Sequence, residues 1–134
     1  MTEQKIAHLT FIQNVINRMG QNSFILKGWS ITLISALFAL SAQGANTKFI
    51  LIAYFPAIIF WLLDSYFLHQ EKLFRKLYEK VASSDIPSNT YTLNIFLVKQ
   101  YVGSYCSTTL SKNLIIFHGS IISILLIAMF VILN

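Results

Sequence analysis

The chain has 134 residues, of which 55% are hydrophobic and only 11% are charged. A soluble globular domain carries about 25% charged residues, so the composition argues against a soluble protein. The net charge of +5 accompanies three long apolar runs, and it therefore indicates membrane topology and attraction to anionic lipid headgroups rather than direct nucleic-acid binding. We predict an all-α integral membrane protein with the lipid bilayer as its immediate partner, built as a single membrane domain over residues 1–134.

The first predicted element is an amphipathic helix over residues 6–20. Its apolar side chains recur at helical spacing, at Leu9, Ile12, Ile16 and Met19. Gly20 is expected to end this helix. The helix could lie in the membrane interface or pack on the cytoplasmic helix of a neighbouring subunit, and we favour packing because its polar face has few Lys or Arg residues for lipid contact.

Three spans are predicted, at residues 23–42, 49–68 and 114–133. Each run is close to the roughly 20 apolar residues that a helix needs to cross a bilayer. An apolar stripe that includes Leu73, Leu77 and Val81 extends the second helix beyond the membrane to about Ala82. Pro56 is expected to bend this helix. Residues 83–89 predict a turn, and residues 91–111 predict a cytoplasmic helix, with a strand as the alternative, within a loop over 83–112.

The basic residues predict the orientation of the chain. Nine of the ten Lys and Arg residues fall on one side of the predicted spans, and cytoplasmic loops retain positive charge. The N-terminus and the long loop are therefore expected in the cytoplasm, and Asn134 on the opposite side of the membrane. Four basic residues of the extended second helix are predicted to face a cytoplasmic protein partner: Lys72, Arg75, Lys76 and Lys80.

Three ionisable residues fall at one depth, about one turn inside the cytoplasmic ends of the three spans: Lys27, Asp64 and His118. A charge near the bilayer centre costs about 2.5–3.5 kcal/mol or more, so Asp64 needs a partner, water or a proton. A proton relay or polar gate is one interpretation. The other is an ion pair between Lys27 and Asp64 that fixes helix register, which we favour because the site is shallow.

Small residues predict where helices pack closely. They are Gly28, Thr32, Ala36, Ser35 and Ala39 in the first span, with Gly119 and Ser123 in the third. The spacing leaves open whether this contact lies within one chain or between chains. Three helices enclose no channel, so a pore would require a homo-oligomer, with Ser30, Ser35, Ser41 and Gln43 as pore-side candidates. Trp29 and Trp61 are predicted as interfacial or packing aromatics.

The sequence contains no motif that indicates catalysis. Zinc-type Cys and His spacing, Gly-rich phosphate loops and serine-hydrolase motifs are all missing from the sequence. We therefore expect no enzymatic activity, no metal and no cofactor.

Two segments carry a family resemblance: NSFILKGWSITL at residues 22–33 and FWLLDSYFLHQEKLFRKLY at residues 60–78. Over residues 5–82 the chain resembles SLATT-type membrane effectors and the accessory membrane proteins that travel with RNA-guided or adenosine-deaminase anti-phage systems. The resemblance implies assembly and membrane disturbance when a cytoplasmic sensor fires. The third span departs from the two-span form of SLATT proteins. A non-conducting scaffold and a small proton-coupled transporter are the alternatives.

Overall fold

The structure, a computed structural model, describes residues 2–42 and 48–133. The described residues form four α-helices, α1 (Glu3–Ala42), α2 (Lys48–Ala82), α3 (Tyr105–Thr109) and α4 (Lys112–Leu133), with single 3-10 turns at Ile95–Leu97 and Lys99–Tyr101. Helices α1, α2 and α4 are long and apolar enough to cross a membrane. The all-α prediction with three candidate spans is confirmed.

The predicted break at Gly20 is wrong, because α1 continues through it as one helix of 40 residues. At 1.5 Å per residue this helix is about 60 Å long, twice the thickness of a hydrocarbon core. A single glycine costs a helix only about 1 kcal/mol relative to alanine, and packing against α2 on both sides of Gly20 outweighs that cost. The predicted amphipathic helix and first span are therefore one rigid element.

Helices α1 and α2 form an antiparallel hairpin that extends well beyond the spans. We call residues 2–22 and 69–112 the polar end. Its core is a cluster of buried side chains from both helices and the following loop: Leu9, Ile12, Ile16, Leu77, Val81 and Val98. The N-terminal stripe therefore packs on an extended helix, as we favoured, but that helix belongs to its own chain and not to a neighbour.

Replacement of Leu77 with alanine tests this core. Leu77 is completely buried, so Leu77→Ala is expected to lower the free energy of unfolding by about 2–5 kcal/mol, through lost burial and the cavity left behind. Thermal unfolding in detergent micelles measures the change. Leu97→Ala is the control, because Leu97 is 47% exposed. An equal decrease in the free energy of unfolding in the two variants would contradict the packing of the polar end.

The loop after α2 adopts little regular structure. A turn follows Ala82 as predicted, but most of residues 91–111 lies outside α-helices, and the described residues contain no strand. Side chains cap the backbone locally: Asn94 accepts a hydrogen bond from the Phe96 amide, and Ser104 accepts one from the Ser107 amide. Such short side chains offer the backbone an alternative to a continuous helix, which is why the helix prediction is wrong over most of this segment.

His8 holds the loop on α1. Its ring is fully buried, with Nδ1 2.9 Å from Ser88 Oγ and Nε2 2.7 Å from the Thr92 carbonyl oxygen. These contacts join the N-terminal helix to a turn about 80 residues later in the chain. The polar end is therefore one packed unit and not a set of separate segments.

In the membrane half, α4 lies antiparallel to α2. The buried contact there combines Ile34 of α1, Ala53 and Ala57 of α2, and Leu125 of α4. Alanine side chains allow the helices to approach closely. Helix α2 continues through Pro56, and its predicted bend stays a prediction.

Candidate intramembrane polar site

The three ionisable residues predicted at one depth meet in space. Asp64 is fully buried, and its Oδ2 lies 2.6 Å from Lys27 Nζ and 2.7 Å from His118 Nε2. Ser23 donates a hydrogen bond to Asp64 Oδ1 and accepts one from Lys27 Nζ at 2.8 Å. One carboxylate thus accepts hydrogen bonds from groups on α1 and α4 while it sits on α2.

The charges in this cluster balance without a charge on His118. Lys27 and Asp64 compensate each other, and His118 donates its Nε2 proton to the carboxylate. The other ring nitrogen, Nδ1, is buried and has no hydrogen-bond partner. The opposite charges of Lys27 and Asp64 therefore form the ion pair, and His118 adds a hydrogen bond to it.

Aromatic rings enclose the cluster on the α2 and α4 side. Trp61 stacks on the His118 ring, with centroids 5.8 Å apart and planes 9° apart, and its Nε1 donates to the Thr109 carbonyl at 3.1 Å. Lys27 Nζ lies 5.7 Å from the centre of the Phe117 ring. Ser23 was not predicted to belong to this cluster, and Trp61 was predicted as an interfacial or packing aromatic. Their spacing, four residues before Lys27 and three before Asp64, places each on the same helix face as its partner.

The hydrogen-bonded cluster does not continue across the membrane half of the described chain. It ends at His118 Nδ1, and the buried hydroxyl groups of Ser30 and Ser41 have no hydrogen-bond partners. The contact between Lys27 and Asp64 is the ion pair that we favoured, and the proton relay or polar gate stays a prediction.

The predicted small-residue face of α1 is exposed and is not packed against another helix of the described chain. Its members are exposed, and a Cβ atom built on Gly28 would meet nothing within 4 Å. Among the pore-side candidates, Ser30 and Ser41 are buried and Ser35 is exposed, while Gln43 lies outside the described residues. In α4, Gly119 is half-buried and Ser123 is exposed, and both line a shallow groove. A close helix contact at these faces would have to come from another chain.

The predicted partner-facing residues of α2 are partly occupied by their own chain. Arg75 pairs with Glu71 at 2.8 Å, and Lys76 pairs with Glu79 at 3.1 Å. Lys80 lies 4.2 Å above the centre of the Tyr101 ring. Lys72 is half-buried. The loop therefore covers part of the surface that the sequence analysis assigned to a partner.

Over residues 2–42 and 48–133, no group of three or more His, Cys, Asp and Glu side chains is arranged to hold a metal ion. Comparison of the chain with family models, curated proteins and solved structures finds no match.

Proposed function

We propose that this chain is an oligomeric effector or accessory protein of bacterial anti-phage defence in the inner membrane. On a cytoplasmic signal it would alter membrane integrity. The defence setting comes from the sequence resemblance over residues 5–82. The observation that carries the effector role is the continuity of α1 and α2 from the packed polar end to the buried Asp64 cluster.

Unbroken helices couple the two ends of the molecule mechanically. A partner that displaced the polar end would rotate or shift α1 and α2 as rigid rods, since neither helix has a break at the membrane surface. The contact between Lys27 and Asp64 would then strain or separate. Packed helices tend to switch between discrete arrangements instead of deforming continuously, which is the behaviour that a regulated membrane protein requires.

The exposed face of α1 supports assembly of several copies. Gly28, Thr32 and Ala36 are spaced four residues apart, and each is exposed in the single chain. Small residues at this spacing allow two membrane helices to approach closely. A second copy of the same chain is the partner that we propose for this face, and an assembly would be needed for any pore.

Membrane potential in bacteria tests this function. Cells that express the protein are challenged with phage while a potential-sensitive dye is recorded. Wild type is expected to depolarise the membrane on challenge. Ala36→Leu should abolish depolarisation, because the larger side chain keeps neighbouring α1 helices apart.

The matched control is Val131→Phe, which enlarges a 69% exposed side chain on α4. Both variants should be inserted in the membrane and should unfold at the wild-type temperature, because neither position is packed within the chain. Depolarisation that survives Ala36→Leu would contradict assembly through α1. A steady potential in wild type would contradict the effector role.

A scaffold that recruits a soluble complex to the membrane is the second candidate. The complete compensation of Asp64 by Lys27, Ser23 and His118 favours it, because such a cluster stabilises a static bundle. Recruitment of cytoplasmic protein to the membrane with an unchanged potential would support the scaffold.

A further inference from the structure

A second polar feature lies outside the Asp64 cluster, where α2 leaves the membrane. It is a cavity of about 510 Å³ between α2 and the loop. Its lining includes Tyr66, His69, Phe96, Lys99, Ser104 and Tyr105. This volume falls within the roughly 300–1,000 Å³ range of small-molecule sites.

Three hydrogen bonds fix α3 alongside the last turns of the second span. Tyr105 donates to the Leu62 carbonyl at 2.6 Å, and Trp61 donates to the Thr109 carbonyl at 3.1 Å. His69 Nδ1 lies 3.0 Å from Thr108 Oγ1. The cavity, which Tyr66 and His69 line, therefore lies at the predicted end of the second span, residue 68.

Exposed aromatic side chains line the opening. Phe96 is 71% exposed and Tyr66 is 49% exposed, and Phe96 lies outside the predicted spans. Aromatic and aliphatic side chains at this depth are stabilised by the interfacial region of a bilayer, where acyl chains begin. The rim of the cavity is therefore suited to lipid.

The polar part of the cavity is basic. His69 and Lys99 line it, and no Asp or Glu is among its described lining residues. Burial lowers the pKa of His69, and the positive charges of Lys72 and Lys99 lower it further. Glu71, on the same helix, lines a different groove and pairs with Arg75. An anion in the cavity would thus meet uncompensated positive charge.

The hydrogen bonds of His69 leave one nitrogen available. Thr108 donates its hydroxyl proton to the Ser104 carbonyl at 3.5 Å, so it accepts from His69 Nδ1. Among the described residues, His69 Nε2 has no hydrogen-bond partner. When protonated, Nε2 would donate to an anionic oxygen, together with the ammonium group of Lys99.

We infer that this cavity binds the phosphate of an anionic phospholipid, with Lys99 and His69 on the phosphate and the apolar rim on the acyl chains. The cavity would hold a lipid equally in an effector and in a scaffold. A free phosphate ion could make the same contacts with Lys99 and His69, but it would leave the apolar rim without a partner. The rim therefore favours the lipid.

Native mass spectrometry of the full chain, released from nanodiscs, tests this inference. Nanodiscs of phosphatidylcholine with added phosphatidylglycerol should yield protein that retains phosphatidylglycerol in preference to phosphatidylcholine. Lys99→Gln should weaken retention about tenfold, the loss expected for one charge-assisted hydrogen bond. Arg75→Gln removes the same charge outside the cavity and should have no effect.

A change of pH provides an independent measurement. Retention should increase as the pH falls below about 6.5, because the pKa of His69 lies below its ordinary value and the ring gains its proton only there. His69→Gln should remove this dependence. Tyr105 keeps its hydroxyl proton at these pH values, since burial and the nearby Cys106 raise its pKa.

Three outcomes would overturn the inference. If Lys99→Gln and Arg75→Gln reduce phosphatidylglycerol retention equally, the protein and the anionic lipid attract each other only diffusely. Displacement of the lipid by inorganic phosphate at similar concentration would assign the site to soluble phosphate. Equal retention of both lipids would exclude a headgroup site. Unchanged unfolding temperatures of the variants keep these outcomes interpretable.

Discussion

Replacing Asp64 with asparagine is expected to lower the free energy of unfolding by about 3–5 kcal/mol, the loss measured when one partner of a buried ion pair is removed. Asp64 accepts hydrogen bonds from Lys27, Ser23 and His118. An amide retains one acceptor oxygen but leaves the Lys27 ammonium without a compensating charge. Thermal unfolding of the purified protein in nanodiscs measures the difference.

Replacing Lys27 with methionine should be less damaging, because the two partners are not equally buried. The Lys27 side chain is 27% exposed whereas Asp64 is fully buried, and His118 stays 2.7 Å from the carboxylate. The Nε2–H group of His118 then still donates a hydrogen bond to the carboxylate. Lys27→Met should therefore lose less stability than Asp64→Asn in the same thermal unfolding measurement.

The double variant Lys27→Met with Asp64→Leu completes a thermodynamic cycle. It removes both charges together, so it should recover much of the stability that Asp64→Leu alone loses. Additive losses in the double variant would contradict a direct interaction between the two residues. Ser35→Ala is the control, because Ser35 is an exposed residue of α1 in the membrane half and its replacement should leave the free energy of unfolding unchanged.

The polar cluster was predictable from the sequence, because the depth of a residue in the membrane follows from its distance in sequence from the end of its span. Lys27, Asp64 and His118 each lie about one turn inside the predicted end of a span, and adjacent antiparallel helices bring equal depths together. Ser23 was not predictable in the same way. Its role depends on the rotation of α1 against α2, which packing decides and hydropathy does not.

At the polar end, by contrast, local sequence signals predicted the secondary structure incorrectly. Local signals at Gly20 favoured a helix end, but burial of Ile12 and Ile16 against α2 outweighed a glycine penalty of about 1 kcal/mol. The helix predicted over residues 91–111 fails because Asn94 and Ser104 cap the backbone locally, and the position of the loop on α1 depends on contacts distant in sequence. The hydrogen bonds of His8 to Ser88 and Thr92 are of this kind, and no local pattern predicts them.

Breaking α1 at Gly20 is expected to uncouple the polar end from the spans. A proline inside a helix removes one backbone hydrogen bond and clashes with the preceding turn, at a cost of about 3 kcal/mol or more. Gly20→Pro should therefore eliminate depolarisation on phage challenge while the protein stays in the membrane. Gly20→Ala is the matched control, because a Cβ atom there meets only Glu71 Oε1, at 3.8 Å. It should keep the response and gain about 0.5–1 kcal/mol of stability.

Loss of stability alone must be separated from loss of coupling, and Leu77→Ala makes that separation. It weakens the core of the polar end by about 2–5 kcal/mol, an amount similar to the proline, but it leaves α1 continuous. If continuity of α1 transmits the signal, Leu77→Ala retains depolarisation at temperatures below its unfolding transition and Gly20→Pro does not. If both variants lose the response to the same extent, folding stability explains the result and a rigid helical coupling is rejected.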